Sequence, residues 1–375
     1  MSRDFIRSLP EYERDVRVNW LHRVHIDPLL LLLLVMVVSY GLVVLFSAVG
    51  QNQTLFQAQL LRMALAFVAL VVAAQLPPQI YVRWAPFVYV FGVFLLVLVL
   101  LVGVKVKGSQ RWLDIPGVIR FQPSELMKIA VPMAVAWYFH DRPLPPSFKD
   151  VCIALAIVAL PAGCIIAQPD LGTGILVAGA GFAVVVFAGL SWRWMLYTVL
   201  ALAAAAPGLW YTLQDYQRQR ILTLFDPESD PLGAGWNIMQ STTAIGSGGL
   251  VGKGLLQGTQ SHLDFLPEAR TDFIIAVVAE ELGLVGVVLL LSLYLLIILR
   301  GLYMAASAES TFGRLLSGAL VLTFFVYVFV NMAMVSGLLP VVGVPLPLVS
   351  YGGTSAITLM ASFGILMAIR THKAW

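Results

Sequence analysis

Asp272 stands at the mouth of an apolar stretch, "TDFIIAVVAEELGLVG" at 271–286, that also carries Glu280 and Glu281 two turns further in. An ionised side chain at the centre of a membrane helix costs about 2.5 to 3.5 kcal/mol even on mild insertion scales, so such groups face a polar cavity rather than lipid. Two other expected helix starts repeat the design. Glu125 and Lys128 follow Pro123 in "FQPSELMK", with Ser124 placed to cap, and Asp170 stands in "QPDLGTG". Glu125 and Lys128, three residues apart, share one helical face. Each carboxylate alone is explained by capping a helix N-terminus and meeting its dipole. A ladder of them in one apolar stretch is not. The expectation is one hydrated pocket opening outward, in which these carboxylates, Asp272, Glu280 and Glu281 included, meet Lys128, Arg62 and Arg111.

A partly desolvated carboxylate can act as a general base with a raised pKa. Nearby cations can hold a pyrophosphate and stabilise its departure. Transfer of a sugar from a lipid pyrophosphate to a hydroxyl needs little more, because pyrophosphate leaves without a proton. The same inventory would serve a proton-coupled lipid carrier, with carboxylates relaying protons. The residues by themselves leave both readings open.

Other chemistries find less support. The sequence offers no histidine pair, cysteine constellation or spacing for zinc, and His262, the one histidine expected outside, reads as solvated. "GSGGLVGKG" at 246–254 fails as a nucleotide loop: no glycine stands five residues before Gly252, Gly254 follows Lys253 where Ser or Thr is required, and no βαβ unit surrounds it. The "NQT" at Asn52 is too short a pattern to carry a claim. Cys152 and Cys164 read as small buried hydrophobes.

The elements that would position these groups are membrane helices. Hydrophobic residues make up 59% of the 375-residue chain and charged residues 11%, and the mean hydropathy is +0.88. Apolar runs of about 20 residues, each long enough for a hydrocarbon core of about 30 Å, recur from 28 to 369. The expected fold is an all-α integral membrane protein of about ten transmembrane helices: 28–49, 58–76, 85–104, 123–140, 151–168, 171–190, 194–213, 272–299, 314–336 and 351–369. Residues 1–27 form a basic arm, too long and too charged for a cleaved signal, and 28–375 form a single polytopic domain.

Charge sets the expected orientation. With the N-terminus in the cytoplasm, thirteen of the 23 basic residues lie inside: Arg3, Arg7, Arg14, Arg17, Arg23, Arg83, Arg142, Lys149, Arg193, Arg300, Arg314, Arg370 and Lys373. An even helix number returns the C-terminus to the same side. The remaining ten lie outside: Arg62, Lys105, Lys107, Arg111, Arg120, Lys128, Arg218, Arg220, Lys253 and Arg270. Most gather around 105–122 and a long outer loop at 214–271, between helices 7 and 8. Cations kept outside against the usual bias point to an anionic partner such as a phosphate-bearing lipid. The loop's apolar content argues against disorder, "NIMQSTTAI" reads as a short interfacial helix, and its glycines from 246 to 258 allow close backbone approach.

The same residues fall into a wider pattern. "RWLD" at 111–114, "FQPSELMK" at 121–128, "AQPDLGTG" at 167–174, "DYQRQRI" at 215–221 and "DPESDPLGAGW" at 226–236 come in that order. They are followed by "AIGSGGLVGKG" at 244–254, "FLPEARTDFI" at 265–274, "AEELG" at 279–283 and "NMAMVSGLLPVVGVPLPLVSYGGTS" at 331–355. Jointly they resemble the SEDS family, the shape, elongation, division and sporulation proteins, on its rod-shape rather than its division branch. The resemblance covers nearly the whole membrane region.

It implies a peptidoglycan glycosyltransferase of the bacterial cytoplasmic (inner) membrane, polymerising lipid II on the outer face during cell elongation. A lipid II flippase is the alternative. The family's essential aspartate falls on Asp272 and its paired glutamate and lysine on Glu125 and Lys128. Arg111, Arg218 and Arg220 fall on family positions linked to substrate or to the long loop. Asp170 and Arg62 join them here as substrate-binding candidates. The implied partners are a class B penicillin-binding protein, other elongation proteins and membrane lipid, with no nucleic acid. No organic cofactor is expected. A divalent cation, magnesium or manganese, bridging phosphate to a carboxylate is an expectation of the chemistry.

Overall fold

A computed structural model describes residues 24–106, 109–115, 119–230, 233–262 and 268–372. Most of the N-terminal arm, Lys107 and residues 263–267 lie outside it, as do the side chains of Lys105, Arg120 and His262. The chain is mainly helical. Helix α1 spans Pro28–Ala48, α2 Gln53–Gln75 and α3 Pro78–Val102. Asp27 and Asn52 cap the first two, accepting from the amides of Leu30 and Leu55. Pro28 and Pro78 fill first-turn positions where no amide is needed.

The expectation of an all-α chain fails between α3 and the next helix. Strands β1 (Val104–Val106), β2 (Ser109–Ile115) and β3 (Ile119–Phe121) form an antiparallel meander in the order β1-β2-β3. The sequence explains this: "VKV", "SQRWLDI" and "IRF" are short segments rich in β-branched and aromatic residues with Gly and Pro between them. Pairing Leu113 with Phe121 and Asp114 with Arg120 fixes the register of β2, the strand that carries Arg111.

Helices α4 (Pro123–Phe139), α5 (Phe148–Ala167), α6 (Leu171–Phe187) and α7 (Trp192–Thr212) follow. The region read as one long outer loop is largely helical: α8 (Asp215–Phe225), α9 (Ala234–Gly248) and α10 (Thr259–His262). The expected interfacial helix at "NIMQSTTAI" lies within α9. The chain closes with α11 (Ile274–Ala306), α12 (Thr311–Val335) and α13 (Thr354–Thr371). Among the described residues, α1, α2, α3, α5, α11, α12 and α13 are long and apolar enough to cross a membrane, and α6 is apolar but shorter. Large apolar side chains such as Phe87, Phe91 and Phe94 stand exposed on α3, as a lipid-facing surface requires.

Two apolar cores share α12 and α13. One joins α1, α2 and α11 around Leu34, Leu45, Ile274 and Leu290, and the other joins α3, α4, α5 and α6 around Leu96, Met127, Val131 and Val184. Between them Leu176, Tyr327 and Val344 form a small third cluster. At the end bearing Pro28 and Pro78, Asp27 is 1% exposed and ion-paired with Arg300 at 2.6 Å, which ties α1 to α11.

Helix α11 is not continuous. Gly283 has φ 64° and ψ −162°, which breaks the ladder inside a span. The four backbone groups this frees are all bonded by the segment after α9. Lys253 N donates to Glu280 O at 3.0 Å and Gly254 N to Glu281 O at 2.9 Å. Leu284 N and Val285 N donate to the carbonyls of Gly249 and Leu250. Only glycine permits this approach, because a Cβ at Gly252 would stand 2.2 Å from the Glu281 oxygen. Non-helical backbone within an apolar span is tolerated where protein satisfies it, and here the grafted segment 249–254 does so.

Candidate active site

The expected ladder of Asp272, Glu280 and Glu281 separates into two places. Glu280 is fully buried, and its Oε1 accepts from Lys253 Nζ (2.7 Å), Thr259 N (2.8 Å), Gln260 N (3.0 Å) and Thr259 Oγ1 (3.1 Å). Glu281, 1% exposed, accepts from Ser47 Oγ at 2.6 Å. Glu280 secures the segment after α9 to the broken helix, and Glu281 ties that helix to α1. They do not line a hydrated pocket, and the reading that placed them there is corrected: periodicity gave their depth in the span but not the loop that covers them.

Asp272 lies in the turn before α11 and is half-buried. It does not cap that helix, whose N-cap is Phe273 without a side-chain bond. Its Oδ2 faces Gly343, 3.4 Å from where a Cβ would stand, and Gly343 itself has φ +73°. Its backbone carbonyl accepts from Asn331 Nδ2 at 2.8 Å. Arg62 stacks on the ring of Tyr351 at 4.5 Å, and Tyr351 N donates to Arg270 O, so this cation belongs to the Asp272 side of the site.

Gly343 leads directly to the second part. Its neighbour Val342 lines an open cavity of about 570 Å³, together with Arg111, Asp170, Tyr216, Arg220 and Pro340. Asp170 is 5% exposed and caps α6 through Thr173 N at 3.3 Å, so its capping role holds. It also meets Arg111 Nη1 at 3.4 Å and Gln122 Nε2 at 3.4 Å. Arg220 stands over the Tyr216 ring at 5.8 Å on the cavity wall. Arg218 is directed elsewhere: its guanidinium donates to the carbonyls of Trp210 and Tyr211 and bridges the corner between α7 and α8.

Glu125 and Lys128 pair at 2.7 Å with 6% and 8% exposure. Lys128 Nζ lies 4.7 Å from the centre of the Tyr327 ring, in the small cluster between the two cores. Ser124 does not cap α4: the N-cap is Gln122, and Ser124 Oγ is buried without a hydrogen-bond partner. Glu125 Oε2 and the Tyr327 hydroxyl are buried in the same condition. Buried polar atoms with spare bonding capacity cost stability and mark a place where water or ligand completes the network.

The arrangement can therefore hold an anion beside a half-buried carboxylate. Asp272 and Arg62 come from one core, Glu125, Lys128 and Asp170 from the other, and α12 with residues 340–344 joins them. Tyr327, Asn331, Gly343 and Tyr216 escape sequence reasoning about charge, although all but Tyr327 lie inside stretches that the family pattern includes. Among the described residues no group of three or more His, Cys, Asp or Glu side chains is placed to hold a metal ion.

The family model described as cell cycle protein FtsW/RodA/SpoVE matches residues 21–374. The peptidoglycan glycosyltransferase MrdB of Escherichia coli (strain K12) is 55% identical over 352 residues, 94% of this chain and 95% of that one. A solved structure concerned with the coordination of polymerization and crosslinking by a peptidoglycan synthase complex aligns at TM-score 0.81 and 32% identity. It covers 92% of this chain and 97% of the other. The crystal structure of the Thermus thermophilus rod shape determining protein RodA aligns at TM-score 0.70 and 29% identity, covering 92% and 96%. The conclusion from sequence and fold together is that the chain belongs to the FtsW/RodA/SpoVE family of cell cycle proteins.

Proposed function

We propose that the chain is a peptidoglycan glycosyltransferase that polymerises lipid II into β-1,4-linked glycan during cell elongation. It is a multi-pass protein of the bacterial inner membrane. Ten spans, counting α4, α6 and α7 with the seven longer helices, leave both termini in the cytoplasm and the cavity on the outer face. The observation that carries the mechanism is the adjacency of Asp272 to the cavity through Gly343 and Val342.

Asp272 accepts the proton of the acceptor's GlcNAc 4-hydroxyl as that oxygen attacks the anomeric carbon of the donor's MurNAc. The C1–O bond to pyrophosphate breaks, and undecaprenyl pyrophosphate leaves with the electron pair. A single displacement turns the α-linked donor into a β-linked product. Arg111 and Arg220 meet the pyrophosphate in the cavity, and Arg62 meets it or the acceptor from the Asp272 side. The Glu125–Lys128 pair and Asp170 shape the floor and hold Arg111. A magnesium or manganese ion would neutralise charge on the leaving pyrophosphate; among the described residues no cluster of three or more carboxylates, histidines or cysteines stands ready to hold one.

The chain works with a class B penicillin-binding protein, the crosslinking enzyme. The likeness to a peptidoglycan synthase complex supports that reading. The test is labelled lipid II incubated with purified protein and that partner in detergent. Glycan polymer without a sealed membrane is the expected product; a flippase makes none.

A further inference from the structure

We propose that Asn331 is a positioning residue for the base, fixing Asp272 over Gly343 by clamping two carbonyls across the site. The inference rests on the reading of Asp272 as the base. Asn331 is fully buried on α12, and both of its amide protons are spent: Nδ2 donates to Asp272 O at 2.8 Å and to Val344 O at 2.7 Å. Those carbonyls belong to the two segments that face each other across the Asp272 carboxylate. One side chain therefore sets the spacing between the base and the loop that leads into the cavity.

The clamp is part of a row. The carbonyls of Arg270, Thr271 and Asp272 are each taken by a donor from the C-terminal segment: Tyr351 N (2.8 Å), Ser350 Oγ (2.5 Å) and Asn331 Nδ2. Ser350 Oγ in turn accepts from Leu346 N at 2.8 Å. Three consecutive carbonyls held this way leave the turn little freedom to rotate, so the direction of the Asp272 side chain is set before substrate arrives. The other side of Asn331 offers no comparable contact, because its Oδ1 is buried without a hydrogen-bond partner. A residue kept for stability alone would not be expected to bury an unmet acceptor. A polar side chain whose donors must both aim at carbonyls accounts for it.

A misplacement of about 1 Å costs a reaction roughly 100-fold. Asn331→Leu removes the donors while keeping the branched skeleton of the side chain. With purified protein and its transpeptidase partner on labelled lipid II, kcat falls about 100-fold while KM stays within about threefold. Thr323→Val, which removes a buried hydroxyl bond on the same helix, serves as the structural control and leaves kcat within about twofold. Should Asn331→Leu fail to accumulate, Ser350→Ala carries the same test with a smaller fall in kcat. Unchanged kcat per folded molecule, a change confined to KM, or an equal fall in the control overturns the proposal. Asp272→Asn is run alongside: if it polymerises normally the base assignment fails, and if it alone is inactive the positioning role fails by itself.

Discussion

Asp272 and Glu280 stand two turns apart on one apolar stretch, and the protein uses them in opposite ways. At the break in α11, Glu280 is fully buried with one oxygen taken by four donors. At the mouth of α11, Asp272 is half-buried against a glycine and a short step from an open cavity. The difference lies in what surrounds each oxygen. A fully buried carboxylate held by four donors from its own chain holds structure, whereas a half-buried one beside the loop that leads into a cavity stands within reach of a substrate. Glu125, with one oxygen paired to Lys128 and the other orphaned, falls between the two.

The contrast can be broken at several points. Asp272→Asn keeps the size of the side chain and removes the base; polymer yield from lipid II falls by more than about 1,000-fold, with membrane insertion unchanged. Near-normal yield would place Asp272 with Glu280 as structural. Lys253→Met leaves Glu280 buried without its cation, costing about 1 to 3 kcal/mol of stability. Its signature is a melting temperature lower by several degrees in detergent, with KM and kcat of the surviving protein within about threefold. Loss of turnover without loss of stability would instead connect the break in α11 to the chemistry. Two neighbouring arginines sharpen the same line. Arg220→Gln raises KM for lipid II about tenfold, because a cavity cation is lost. Arg218→Gln, whose guanidinium is spent on the carbonyls of Trp210 and Tyr211, changes KM by less than about twofold.

Much of this was legible in the residues. The apolar runs locate the spans, and proline-led helix starts mark where Glu125 and Asp170 stand. What the runs could not give is the third dimension. "AEELG" reads as helix because its periodicity is helical, and only the close approach of Gly252 to Glu281 reveals the break at Gly283. Arg218 and Arg220 are indistinguishable by type and spacing. They differ because α8 turns one toward the corner with α7 and the other toward Tyr216. The sheet at 104–121 was hidden by the expectation that a membrane chain is helical throughout, although its alternation and turn residues were in plain view. Asn331 carries no charge and sits in an apolar run, so nothing in the sequence chemistry raised it above its neighbours.

The graft at Gly283 also bears on how the chain is made. Residues 249–254 leave the ribosome before Glu280 does, so the amides and carbonyls that complete α11 are already made when its interrupted turn emerges. The connection between α9 and α10 is thus a docking template laid down in advance. Shortening it would leave four peptide groups of the interrupted span unmet during insertion, a defect of biogenesis rather than of turnover.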